Sequence, residues 1–156
     1  MSAKLTFTLY SANSGIEVTP DIKAHRGVCE GRLQLRFFLI QEPGATAGGK
    51  LSQIRFLLEP WEAYDLSLRM SRIYRDGGKE KVTHKFTPTG GKEVTTFVTV
   101  DKWERAGKSG LGLAVSRADS FISVPISKDS VSRYLYLAEF LKFLSCRQGW
   151  IDKEAA

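Results

Sequence analysis

The sequence predicts an α+β domain with mostly antiparallel sheets, ordered as four strands and a helix, then four strands and a helix. Three observations carry this. Many segments alternate apolar and polar residues with a period of two, the mark of a half-buried strand. Twice the pattern changes to apolar residues at helical spacing. The strand-like segments follow one another through short hairpin connections, which antiparallel neighbours permit.

The first strand is "KLTFTLY" (4–10), with Leu5, Phe7 and Leu9 on one face and Lys4, Thr6, Thr8 and Tyr10 on the other. "GIEVTPDIKAH" (15–25) reads as an irregular strand, and Pro20, which has no N–H to donate, predicts an edge or a bulge. In "RLQLRFFLI" (32–40) the core face is Leu33, Leu35, Phe37 and Leu39; the opposite face is Arg32, Gln34, Arg36 and Phe38. "QIRFLL" (53–58) turns Ile54, Phe56 and Leu58 inward and Arg55 outward. A helix follows in "EPWEAYDLSLRMSRIY", with Pro60 at its first position and Ala63, Leu66, Met70 and Ile73 at helical spacing. Strands return at "KVTHKFT", "EVTTFVTVDKW", "GLGLAVS" and "SFISVPI". The closing helix lies within "SKDSVSRYLYLAEFLKFLSCRQGW", with Ser127 as its N-cap and Gly149 beyond its end. The result is one domain over 1–150, with halves of about 1–76 and 77–150, and a short tail over 151–156.

The closing helix is apolar over more than one stripe. Val131, Tyr134, Leu135, Leu137, Ala138, Phe140, Leu141, Phe143 and Leu144 exceed what a surface helix buries against its own sheet. Either the domain surrounds this helix or a second copy of the chain covers it. A domain of this size rarely surrounds a helix, so a homo-oligomer is expected, with Tyr134, Leu137, Phe140, Leu141, Phe143 and Leu144 at the interface.

The 156 residues suffice for one core, and no apolar run approaches the roughly 20 residues that cross a bilayer. The start "MSAKLTFTLYS" has no signal-peptide pattern, and Cys29 and Cys146 match no metal or redox spacing. These features suggest a reducing compartment, cytoplasmic or nucleoid-associated, and not secretion. The 23 Lys and Arg against 17 Asp and Glu leave a net charge of +6, which favours polyanionic partners. These basic residues form no tail. They alternate with apolar and aromatic residues inside the strands.

Catalytic signals are thin, and no enzyme and no cofactor are expected. "EPGATAGGKLS" (42–52) nearly spells a phosphate-binding P-loop, but Leu51 stands where Ser or Thr should hold magnesium. A P-loop must also open into a helix, whereas this loop lies between two strand-like segments. His25 and His84 have no partner at metal-ligand spacing, and Glu59 and Glu62 suit the first turn of the helix rather than an acid–base pair. "GGK" occurs at Gly48–Lys50, Gly77–Lys79 and Gly90–Lys92. A lysine beside each turn is compatible with phosphate contact and equally with keeping hairpin ends soluble.

The segment "SFISVPISKDSVSRYLYLAEFLKFLSCRQGW" resembles the closing strand and helix of the Whirly family of single-stranded DNA-binding proteins. The matching residues are Val124, Pro125, Ile126, Ser127, Lys128, Gly149 and Trp150. "KLSQIRFLLEPWEAYDLSLRM" sits where that family has its fourth strand and first helix, and the full element order agrees. The resemblance implies two antiparallel four-stranded sheets packed across each other, (ββββα)×2, with helices joining protomers into a tetramer. It also implies single strands running along the sheet surfaces. The guide-RNA-annealing proteins of editing mitochondria share that fold, so RNA is the alternative ligand. The Lys-Gly-Lys-Ala-Ala-Leu motif of plant members is missing, with only Lys4 ahead of "LTFTLYS", so assembly beyond the tetramer is not implied.

The expected activity is therefore sequence-tolerant binding of single-stranded nucleic acid, DNA preferred, for protection, repair, recombination or transcription. Cations would neutralise phosphates and aromatic rings would stack on bases. The expected contacts are Lys4, Arg32, Arg36, Phe38, Lys50, Arg55, Lys81, Lys85, Phe97, Lys102 and Trp103. The reading from a different class is a scaffold whose basic faces meet an acidic protein.

Overall fold

A computed structural model of the chain describes residues 5–25, 28–40 and 51–149, the side chains of 22–25 and 28–30 excepted. Strands β1 (Phe7–Tyr10), β2 (Ser14–His25), β3 (Val28–Leu39) and β4 (Gln53–Leu58) are followed by helix α1 (Pro60–Asp76). Strands β5 (Lys79–Phe86), β6 (Val94–Arg105), β7 (Lys108–Arg117) and β8 (Ser120–Ser127) are followed by α2 (Val131–Gly149). Each half forms its own four-stranded sheet in sequence order, and every pairing is antiparallel. This is the expected α+β order.

Alternation explains why both sheets are one-sided. Ile54, Phe56 and Leu58 of β4 are buried between exposed Gln53, Arg55 and Leu57. Strand β8 repeats this, burying Ser120, Ile122, Val124 and Ile126 and exposing Phe121, Ser123, Pro125 and Ser127. The inner faces of both sheets join Ala63, Leu66, Met70 and Ile73 of α1 and Tyr134, Leu137, Ala138, Leu141 and Leu144 of α2 in one core. Pro20 needs no bulge, because β2 stays in register with β3 from Ser14–Leu39 to His25–Val28. Pairing with β1 ends at Val18, so the missing N–H of Pro20 costs no bond to that strand.

The helices are held by specific polar contacts. Pro60 opens α1, and Glu62 Oε1 accepts from the Glu59 backbone N–H at 3.1 Å. The other oxygen of Glu62 lies 2.6 Å from His84 Nε2, tying α1 to β5, while Arg69 and Arg72 reach Glu80 of the same strand. His84 thus has a carboxylate partner 22 residues away, which local spacing did not reveal. The side-chain amide of Gln148 in α2 donates to the carbonyls of Asp21 and Arg32 at 3.0 and 2.8 Å. Gly31 permits this approach, since a Cβ there would meet the Gln148 carbonyl oxygen at 2.3 Å. Ser127 makes no side-chain cap. A 3-10 turn over Lys128–Ser130 leads into α2, and Gly149 is the last residue of the helix rather than beyond it.

Tyr134 joins the two helices. Its hydroxyl, fully buried, donates to the Met70 carbonyl at 2.6 Å. Burial pushes its pKa well above the ordinary 10.0, with the charges of Asp101 and Glu80 acting in the same direction. Tyr134→Phe should lower unfolding stability by about 1 kcal/mol in urea at neutral pH. The fold holds this proton where the unfolded chain releases it, so the hydroxyl's contribution is complete below pH 10.0 and declines as pH rises further. The gap between wild type and variant should therefore narrow in alkaline urea titrations; a constant gap would contradict the buried, protonated assignment.

Candidate nucleic-acid interface

With the inner faces committed to the core, side chains of opposite parity form the outer faces. On the first sheet the register sets Tyr10, Gly15, Phe38 and Gln53 in one row and Thr8, Glu17, Arg36 and Arg55 in the next. Phe38 lies flat across β2 because residue 15 is glycine; a Cβ there would fall 2.3 Å from its Cζ. Its ring meets Tyr10 edge-on at 5.9 Å, and the Arg36 guanidinium sits 4.6 Å above it. Tyr10 is 52% exposed, so the pair forms an accessible aromatic shelf.

The cations of this face are not equivalent. Arg36 is held by Glu17 at 3.3 Å and by the side chain of Gln53 at 3.1 Å, and Arg32 faces Asp21 at 3.5 Å. Much of their charge is therefore neutralised in place. Exposed Arg55 makes no side-chain ion pair among the described residues, which leaves it the available cation here. Below it, Arg55, His84, Phe86 and Arg117 line a cleft of about 600 Å³ where the first sheet's edge meets the second sheet. Arg117 anchors this cleft by donating to Thr96 Oγ1 at 2.9 Å and to the Arg55 carbonyl at 2.7 Å. His84 stacks on Phe56 with ring centroids 4.3 Å apart.

The second sheet repeats the pairing of ring and cation. Lys81 Nζ lies 4.8 Å above the Phe97 ring, and Lys85 stands further along the exposed side of β5, 4.0 Å from Glu93. Phe97 pairs with Ser116, which pairs with Phe121, so two rings share one row across three strands. Phe121 is 62% exposed and was absent from the sequence-based contacts, although parity alone turns it outward. Trp103 lies over Gly110 and donates its indole N–H to the Leu111 carbonyl at 3.0 Å. Lys102 departs from the expected grouping. It has opposite parity to Trp103, and its side chain runs beside Gly77 at the end of α1. Lys4 and Lys50 lie outside the described residues.

The helix surface also differs from expectation. Tyr134, Leu137, Leu141 and Leu144 are buried in the chain's own core, which leaves them no surface to present to another copy. Phe143 is exposed and Phe140 half-buried, and with Tyr136 and Glu139 they line a groove of about 390 Å³. Phe7 packs under this groove against Tyr136 and Phe140. Helix α1 exposes a comparable stripe of Trp61, Tyr64 and Leu68.

Nothing in this geometry recovers a P-loop. Residues 41–50 are outside the described residues, but Phe38 pairs with Gln53 across the loop's base, so the connection joins antiparallel neighbours and the element that follows is strand β4 rather than a helix. Among the described residues, no three His, Cys, Asp or Glu side chains are placed to hold a metal ion.

The chain is thus a two-sheet, two-helix α+β protein whose outer sheet faces pair aromatic rings with cations. No family model matches its sequence, and no curated protein matches it. Solved structures do resemble it. WHY3 from Arabidopsis thaliana superposes with a TM-score of 0.59 at 18% identity, over 96% of this chain and 92% of that one. WHY1 from the same plant gives 0.55 at 16%, covering 96% and 88%. The plant transcriptional regulator PBF-2 gives 0.54 at 16%, covering 95% and 84%. The fold is that of the Whirly proteins.

The division between inner and outer faces is open to a direct check on adjacent residues. Phe37→Ala should destabilise by about 3–5 kcal/mol, as a core ring does, and Phe38→Ala by about 1 kcal/mol or less. Comparable losses in chemical denaturation would place Phe38 in a packed interior.

Proposed function

We propose that the chain binds single-stranded nucleic acid, DNA in preference to RNA, through the outer faces of its two sheets. The observation that carries this reading is the repeated juxtaposition of ring and cation, Arg36 over Phe38 and Lys81 over Phe97. The rings offer a base a π-face, and the cations without a carboxylate partner among the described residues, Arg55 beside the first pair and Lys81 in the second, offer a phosphate a positive charge, the combination that single strands require. Stacking accepts any base, so the binding is largely sequence-tolerant. The Whirly fold supports the same reading, because the family it resembles binds single-stranded DNA. Protection, repair, recombination and transcription all use this activity.

The chain acts as a homo-oligomer, a tetramer by the same resemblance, joined through its helices. Tyr136 and Phe143, 63% and 56% exposed on α2, are the anchors this requires. Such an arrangement keeps the sheet faces free. Phe143→Lys should shift the wild-type oligomer to smaller species in sedimentation velocity, with the circular dichroism spectrum unchanged. An unaltered sedimentation coefficient would remove this face from the assembly.

Binding is measured by fluorescence anisotropy with a labelled single-stranded oligonucleotide across a salt series. Affinity should fall steeply with salt as counterions are released. Arg55→Glu should lower affinity and reduce the salt slope by at least about one unit, whereas Phe97→Ala should cost about 1–3 kcal/mol with little change in slope. Equal affinity for duplex and single strand at moderate salt would contradict the reading. An acidic protein copurifying in place of nucleic acid would favour the scaffold reading.

A further inference from the structure

The outer face of the second sheet holds one feature that sequence-tolerant stacking does not use. A trough of about 310 Å³ runs over β7, lined by Asp101, Trp103 and Arg105 of β6, Gly112 of β7, and Ser123 and Pro125 of β8. Its floor is glycine for a steric reason. A Cβ at Gly112 would fall 2.7 Å from Asp101 Oδ1 and 3.6 Å from Trp103 Cδ1. The missing side chain lets the carboxylate and the indole edge lie against the strand. Asp101, Trp103 and Arg105 alternate along β6, so acceptor, ring and cation face the same way in that order.

The carboxylate is the unusual member. Among the described residues Asp101 makes no ion pair and no side-chain hydrogen bond, although Lys79 is its register neighbour on β5. The acidic groups beside Arg32 and Arg36 neutralise a partner; this one is left available. A free carboxylate repels phosphate, so the backbone of a bound strand is disfavoured at the Asp101 end of the trough. Hydrogen-bond donors on a base edge can.

Resting on the nucleic-acid reading above, we propose that Asp101 makes this trough a base-selective position, preferring cytosine or guanine to thymine or uracil. The arrangement of hydrogen-bond donors sets this preference. Cytosine presents its exocyclic amino group with only a C–H beside it on one side, and guanine presents two adjacent N–H groups. Either serves a carboxylate without opposing a lone pair. The single N–H on the pairing edge of thymine or uracil lies between two carbonyl oxygens, which repel a carboxylate. Base edges are open to such contacts in a single strand. Trp103 supplies the wall for the ring, and Arg105 supplies a donor for acceptors on the base or for the neighbouring phosphate. One selective position among many stacking ones biases binding without making the protein sequence-specific.

The test compares oligo(dC) with oligo(dU) of equal length at neutral pH, because the two bases have nearly the same shape and differ in their donor pattern. Wild type should bind oligo(dC) about fivefold tighter or more. Asp101→Ala should bring the ratio close to one without weakening oligo(dU) binding, since it removes a negative charge. Asp101→Asn should also reduce the ratio, because its amide can donate to the uracil carbonyl. A wild-type ratio near one, a preference that survives Asp101→Ala, or an equal loss for both oligonucleotides would overturn the proposal while leaving the general binding intact. Absence of binding to either by wild type would overturn the nucleic-acid reading and this assignment with it.

Discussion

The alternation of buried and exposed residues along the strands is the constraint on which the rest depends. Each sheet gives one face to a core shared with both helices, and a strand cannot slip by one residue without exchanging its faces. Leu33, Leu35 and Phe37 therefore determine where Arg32, Gln34, Arg36 and Phe38 stand. The outer faces are organised by a core they do not enter. A surface built this way tolerates changes to its chemistry, because the core and the strand register remain in place.

Glycine refines the arrangement at particular crossings. Phe38 rests on Gly15 and Trp103 on Gly110, so each large ring lies along the sheet rather than standing above it. A ring lying flat presents more of its π-face to a ligand. It also brings neighbouring cations within range, as with Arg36 at 4.6 Å from Phe38. At Gly112 the same absence of a side chain accommodates a carboxylate, so one backbone device seats both the rings and the acidic group.

Most of the fold was legible in the sequence. The period of two marked the strands, Pro60 marked the start of α1, and the element order identified the class. Parity also assigned faces, and followed strictly it separates Lys102 from Trp103 and turns Phe121 outward. Cross-strand register was not legible. Only pairing shows that Glu17 neutralises Arg36 and that Gly15 lies beneath Phe38. The apolar excess of the last helix was visible, but its division was not. Its seam against α1 and the sheets takes Tyr134, Leu137, Leu141 and Leu144 into the core and leaves Tyr136 and Phe143 outside. The contact of His84 with Glu62 likewise depends on how α1 lies against β5.

The central claim is that the outer sheet faces, and not the helices, contact a single strand. Photo-crosslinking tests it most directly, using an oligonucleotide that carries a halogenated pyrimidine and mapping the adducts by mass spectrometry. Adducts should concentrate on Tyr10, Phe38, Phe97, Trp103 and Phe121. Adducts confined to Trp61, Tyr64, Tyr136 and Phe143 would place the ligand on the helices and contradict the account.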